Sequence, residues 1–284
     1  MTPLASDSIL STFTASDGEN LAIHDWPTPN SGARRGAVLL VHGLGEHAGR
    51  YDALAGRLSG WGFEVRGYDQ YGHGKSGGAR GGLPSMMRLV DDLGDVVDSV
   101  RVRLALGTPL LVLGHSLGGL VAACLVALRR RPIDGLVLSS PALDPGLSRL
   151  QKLLLATLPR IAPNLAVGNG VQPHFISHDP AVVAAYRADP GVHDRISGRL
   201  ARFIADGGPM VIARAAQWKV PTLLMYAGSD HLVNLQGSRD FAAAAPASAV
   251  TAQCFDGLYH ELFNELNAEP VFACLKAWLD ARFS

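Results

Sequence analysis

Residues Leu110–Leu128 read LLVLGHSLGGLVAACLVAL. The first four form a short apolar run of the kind a strand covered on both faces requires. From Leu117 the chain stays apolar over the length of a helix. Between the two lies Gly114-His115-Ser116-Leu117-Gly118, a G-x-S-x-G motif. The pattern alone is weak, because 32 glycines in 284 residues supply roughly a quarter of a match by chance. A second match does occur, at Gly74-Lys75-Ser76-Gly77-Gly78. Setting separates them. A nucleophile elbow needs a strand, a tight turn and a helix, with small residues flanking the serine so that the turn can close. Ser116 has that setting. Ser76 is followed by Gly77, Gly78, Gly81 and Gly82, which deny it a helix, and it reads as a glycine-serine turn.

On either side of this stretch, apolar β runs alternate with amphipathic segments. The runs are Ala37–Val41, Phe63–Tyr68, Leu110–Leu113, Leu136–Ser139, Thr222–Tyr226 and Val250–Phe255. Helical patterns occupy Arg50–Leu58, Ser85–Ala105, Leu117–Arg131, Leu235–Ala245 and Pro270–Phe283. Ahead of them, Ile9–Ala15 and Asn20–Trp26 flank Ser16-Asp17-Gly18-Glu19, a hairpin signal. The alternation predicts a mostly parallel sheet with helices on both faces. It breaks between residues 143 and 215, where no β run appears and Leu150–Val167 reads as short helices. A helical insertion there would lie over the carboxyl edge of the sheet, where open α/β folds bind ligands. The expected organisation is a core of residues 1–142 and 216–284 with a lid at 143–215.

A serine hydroxyl is a poor nucleophile without a base and an orienter, which on such a sheet follow in the order Ser, Asp or Glu, His. Asp230 leaves the strand Thr222–Tyr226 in the loop Gly228-Ser229-Asp230. His260 follows the last predicted strand and precedes the final helix. Asp144 is the alternative orienter, and Asp256 reads as an ordinary turn acid. His231 would come from the same loop as Asp230, and His174, His178 and His193 fall in the insertion. The oxyanion hole expected from this placement uses the N–H of Leu117, at the positive end of its helix, and of Leu44, in His42-Gly43-Leu44-Gly45.

Composition narrows the alternatives. Lys+Arg and Asp+Glu are both 25, so the formal charge is zero and the electrostatic case for nucleic acid falls away. The N-terminal segment lacks the basic and apolar blocks of a signal peptide, and the three cysteines include no C-x-x-C pair, so the reading is of a cytoplasmic protein. Gly43-x-Gly45-x-x-Ala48 imitates a dinucleotide fingerprint, but Glu46 and His47 occupy the turn where a pyrophosphate needs backbone donors. Gly72-x-Gly74-x-x-Gly77 with Lys75-Ser76 fails as a phosphate loop, since Asp69 stands where its first glycine belongs. His260-Glu261-x-x-Asn264 lacks the second histidine of a zinc motif. No cofactor and no metal are expected.

HGLGEHAGRY (His42–Tyr51), DQYGHGKSGG (Asp69–Gly78), GHSLGG (Gly114–Gly119), GSD (Gly228–Asp230) and LYHELFNE (Leu258–Glu265) occur in this order. Together they resemble the monoacylglycerol lipase and lysophospholipase-like serine hydrolases of the α/β-hydrolase fold. The resemblance implies an eight-stranded sheet with a helical cap between strands six and seven. It also implies the triad Ser116, Asp230 and His260, and oxyanion donors at Leu44 and Leu117. Glu46 and Arg50 match positions near the polar alcohol end of the substrate in that family. The expected activity is hydrolysis of a lipid monoester. The same triad could act on a lysophospholipid, thioester, hydroxyalkanoate oligomer or peptide, and the fold could also serve as a non-catalytic receptor. The 143–215 segment holds more Lys and Arg than Asp, which suits transient contact with a membrane surface.

Overall fold

The computed structural model describes residues 6–27, 34–146 and 162–283. The chain begins with the hairpin β1 (Ile9–Thr14) and β2 (Asn20–Trp26), followed by β3 (Gly36–Val41), α1 (Asp52–Gly60) and β4 (Phe63–Tyr68). Next come α2 (Arg88–Arg101), β5 (Leu110–His115), α3 (Leu117–Ala127) and β6 (Gly135–Ser139). After β6 lie β7 (Ala166–Gly168), α4 (Pro180–Ala188), β8 (Arg195–Ser197) and α5 (Gly198–Arg214). The chain closes with β9 (Thr222–Ala227), α6 (Leu235–Ala244), β10 (Val250–Phe255) and α7 (Glu269–Arg282).

Eight strands form one sheet in the order β1-β2-β4-β3-β5-β6-β9-β10. Neighbours are parallel except where β2 meets β1 and β4. This is the α/β-hydrolase fold that the resemblance implies. The order reverses at β3, which has β4 on one side and β5 on the other, so the loops leaving β3 and β5 open onto one crevice.

Alternate residues of the central strands serve opposite faces. Val38, Leu40, Leu111 and Leu113 pack with Leu54, Leu58, Leu275 and Leu279 of α1 and α7. Leu39, Val41 and Val112 pack with Leu93 and Leu120 of α2 and α3. With both faces covered, the strands read as unbroken apolar runs. Helix α3 is buried from Leu117 through Leu125, and a helix apolar all round belongs in an interior.

The 143–215 segment differs from expectation. It is not wholly helical: β7 and β8 form an antiparallel ribbon with Ala166 opposite Ser197. Strands of three residues are too short to show an alternation, which is why the sequence concealed them. Of the short helices expected over Leu150–Val167, residues 147–161 lie outside the described residues, and Ala166 and Val167 belong to β7. Helix α3 ends at Ala127 instead of Arg131, because Arg129 turns into the left-handed region at φ 53°.

Backbone contacts fasten this segment to the core. Ser197 N–H donates to Gly81 O and His193 N–H to Gly45 O, both at 2.8 Å. A Cβ on Gly81 would fall 2.1 Å from Arg195 O, and one on Gly45 would fall 2.4 Å from His193 O. Within the segment, helix α5 packs as closely on its first residue: a Cβ on Gly208 would lie 1.9 Å from Leu143 O. Among the described residues, no helix is long and apolar enough to cross a membrane.

Candidate active site

Ser116 stands between the last residue of β5 and the first of α3, at φ 52° and ψ −117°. A non-glycine residue held there stores about 1–3 kcal/mol of backbone strain, which the surrounding turn must over-determine. The flanking glycines make the turn possible. A Cβ on Gly114 would lie 2.4 Å from Gly118 O, and one on Gly118 would lie 2.1 Å from Val41 O. Ser116 N–H donates to Ser139 O of β6, and its carbonyl accepts from Ala142 N–H, each at 3.0 Å. The serine is thus anchored to the end of β6 and to the residue that leads into the 143–215 segment.

The loops after β9 and β10 bring Asp230 and His260 together. His260 Nδ1 and Asp230 Oδ2 are 2.7 Å apart, and both side chains are buried. The other carboxylate oxygen, Oδ1, accepts from Leu232 N–H at 2.8 Å and Val233 N–H at 3.0 Å. Burial by itself would raise the Asp230 carboxyl, but the His260 charge and these hydrogen bonds outweigh it and hold the group below the usual range. Burial would likewise lower His260, and Asp230 outweighs it, so the imidazole titrates above its ordinary value. With Nδ1 committed to Asp230, Nε2 is left free to exchange a proton. Ser116 and His260 line one cavity of about 300 Å³.

Leu44 and Leu117, the expected oxyanion donors, line that cavity as well. Val171, Ile176, Ile196, Ile204, Leu232 and Val233 supply apolar wall, much of it from the 143–215 segment. Glu46, Glu261 and His115 supply a polar part of the lining. Arg50 stands behind these residues, away from the cavity lining. Its guanidinium is bidentate to Glu261 at 2.8 and 2.9 Å, bonds Glu46 Oε2, and lies over the Tyr186 ring at 4.7 Å. Burial would raise the Glu46 carboxyl; Arg50, His115 and His42 outweigh it and bring it to about 2. His115, 4.7 Å from the His260 ring, is driven down to about 4, first by burial and then by His260.

The alternatives from the sequence lie elsewhere. Asp144 caps a turn, accepting from Gly146 N–H and Asn234 Nδ2. Ser76 is buried, accepts from Ala22 N–H at 2.8 Å and donates to Asp69 O, which is a structural role. His178 pairs with Glu265, and His193 and His174 make tilted ring contacts with His73 and Phe175. His231 does reach the cavity, seated on the Phe175 ring at 4.3 Å. Among the described residues, no group of three or more His, Cys, Asp or Glu is arranged to hold a metal ion. Sequence reasoning missed His115, Tyr186 and Glu261 as cavity residues. His115 carried a local signal, since it occupies the variable position before the elbow serine; Tyr186 carried none.

A family model described as serine aminopeptidase, S33, matches residues 32–267, most of the chain. The monoacylglycerol lipase of Mycolicibacterium smegmatis is 34% identical over 271 residues, covering 94% of this chain and 95% of that protein. The phospholipase YtpA of Bacillus subtilis is 32% identical over 247 residues, covering 86% of this chain and 94% of its own. The crystal structure of Paleococcus ferrophilus monoacylglycerol lipase superimposes with a TM-score of 0.82 at 37% identity. That match covers 92% of this chain and 99% of the other.

Proposed function

The chain belongs to the serine aminopeptidase, S33, family, and on that footing we propose that it hydrolyses monoacylglycerols or closely similar lipid monoesters. It is a serine carboxylester hydrolase that works through Ser116, His260 and Asp230. His260 Nε2 takes the Ser116 proton as the alkoxide attacks the ester carbonyl. The N–H groups of Leu44 and Leu117 receive the oxyanion. His260 then protonates the leaving alcohol, and water cleaves the acyl-enzyme by the same route. Asp230 holds the imidazole tautomer and offsets the charge of the imidazolium.

The observation that carries this reading is the 2.7 Å Asp230–His260 pair, whose histidine shares one largely apolar cavity with the strained elbow serine. The acyl chain belongs against the Val171–Val233 wall and the alcohol against Glu46 and Glu261. Those two carboxylates outnumber the single guanidinium of Arg50, so the polar wall is net negative. It suits a neutral glycerol and repels the phosphodiester of a lysophospholipid, because charges in a partly desolvated site are poorly screened. Residues 143–215 act as the cap. Exposed Leu165 and Val167, at 61% and 53%, are where it would touch a lipid surface.

The test is a monoacylglycerol series from short to long acyl chains, run beside a lysophospholipid and an aminoacyl amide. Hydrolysis should favour the monoacylglycerols, and Ser116→Ala should lower kcat by at least about 10⁴-fold with the fold intact. Retained turnover in that variant, or a preference for the amide, would overturn the reading.

A further inference from the structure

Gly43 is gripped at both of its polar groups. Its N–H donates to Glu46 Oε1 at 2.6 Å, and its carbonyl oxygen lies 2.8 Å from His42 Nδ1. The protonation of His42 follows from its other partner. The backbone N–H of Gln70 can only donate, and it donates to His42 Nε2 at 2.9 Å. Nε2 therefore carries the lone pair and Nδ1 the proton, which goes to Gly43 O. The Gln70 side chain closes the ring by donating to His42 O at 2.7 Å. His42 is buried, and burial outweighs Asp69 and Glu46 in keeping the imidazole neutral.

In a trans peptide the C=O and the next N–H point in opposite directions. Holding Gly43 O toward His42 thus turns Leu44 N–H away from it. The cavity is lined by Gly43, Leu44 and Ser116 and not by His42. Gly43 is also pressed against the serine: a Cβ there would come 3.3 Å from Ser116 Cβ and 2.8 Å from Glu46 Oε1.

We propose that His42 and Glu46 are positioning residues that clamp Gly43 from its two ends and so aim Leu44 N–H at the oxyanion. The proposal rests on the oxyanion-hole reading above. It also gives Glu46 a task separate from the substrate alcohol. Gly43 N–H, Tyr51 OH and Arg50 Nη1 already occupy three of the roughly four acceptor sites of this carboxylate.

The test compares His42→Gln with His42→Asn in the full chain. The asparagine amide sits near the Nδ1 position and can still donate to Gly43 O, whereas the glutamine amide falls near Nε2. His42→Gln should lower kcat about 10- to 100-fold with KM changed less than about twofold. His42→Asn should restore most of the loss. Affinity for an alkyl trifluoromethyl ketone, whose serine adduct carries an oxyanion, should fall by the same factor as kcat/KM. The matching alcohol should bind unchanged. Unaltered kcat in His42→Gln, or equal weakening of ketone and alcohol, overturns the proposal.

Running both a monoacylglycerol and a p-nitrophenyl ester separates the two readings. A wild type active only on the p-nitrophenyl ester defeats the substrate assignment and leaves the clamp testable. Should the variants not fold, ¹⁵N NMR of the wild-type His42 ring decides: a persistent Nδ1–H tautomer is expected, and an Nε2–H tautomer overturns the clamp.

Discussion

His260 and Glu261 are neighbours on one loop, and each is held by an oppositely charged partner from a distant part of the chain. His260 meets Asp230 at the reacting end of the cavity, and Glu261 meets Arg50 at the polar end. The geometry is alike, with separations of 2.7 and 2.8 Å. The cations differ. An imidazole exchanges its proton near neutral pH; burial by itself would lower Arg50, but the Glu261 and Glu46 carboxylates outweigh it and leave the guanidinium titrating well above an already high value. One pair can therefore move a proton during a reaction. The other is a permanent charge arrangement that shapes the wall beside it.

The comparison breaks most sharply at Asp230. Asp230→Asn should lower kcat by about 10³–10⁴-fold, since the imidazole loses its required tautomer. It should also move the acid limb of kcat/KM. The base must be neutral, and Asp230 lifts its pKa above the ordinary histidine value, so the wild-type limb lies on the high side. Removing the carboxylate charge shifts that limb to lower pH. A pH–rate profile measured on a residual-activity variant checks the direction.

At the other end, Arg50→Met should act on stability before chemistry. It leaves Glu46 and Glu261 buried without a cation, at a cost of about 3–5 kcal/mol measured by denaturant unfolding. The sign with pH is also fixed. Glu46, brought to about 2 in the native state, contributes stability that is present above its unfolded value and lost as pH falls toward 2. The variant loses that contribution, so its acid unfolding begins at higher pH than in the wild type. A variant with unchanged acid stability would show the polar pair to be dispensable.

The smallest expected effect lies outside both pairs. Leu165→Ser with Val167→Ser should leave turnover of a soluble ester unchanged and weaken binding to neutral vesicles about threefold per residue, read by sedimentation.

Much of this was legible in the sequence for identifiable reasons. Buried parallel strands produce unbroken runs such as Leu110–Leu113 and Leu136–Ser139, and their ends locate the loops that hold Ser116, Asp230 and His260. The Asp230–His260 hydrogen bond follows from that placement. The Arg50–Glu261 pair spans 211 residues, and nothing local in HAGRY or YHELF announces it. The clamp on Gly43 was hidden similarly: Glu46 was read as a neighbour of the substrate alcohol and His42 only as part of the oxyanion loop, and the tautomer of His42 depends on Gln70, 28 residues away. Ser76 shows the converse, a pattern match whose hydroxyl is spent on the backbone of Ala22 and Asp69. The β7–β8 ribbon escaped notice because three residues carry no period.

The close seats at Gly45 and Gly81 bear on how such proteins can be recombined. The 143–215 segment meets both glycines through backbone, at His193 O and Arg195 O, with room for no side chain at either. A chimera that imported a foreign cap while keeping this core would need its own backbone to descend onto the same two points. One that imported the core loops alone would bring side chains into the seats if either glycine were lost. The natural unit of exchange is therefore discontinuous: the cap together with the loops bearing Gly45 and Gly81, grafted as one piece.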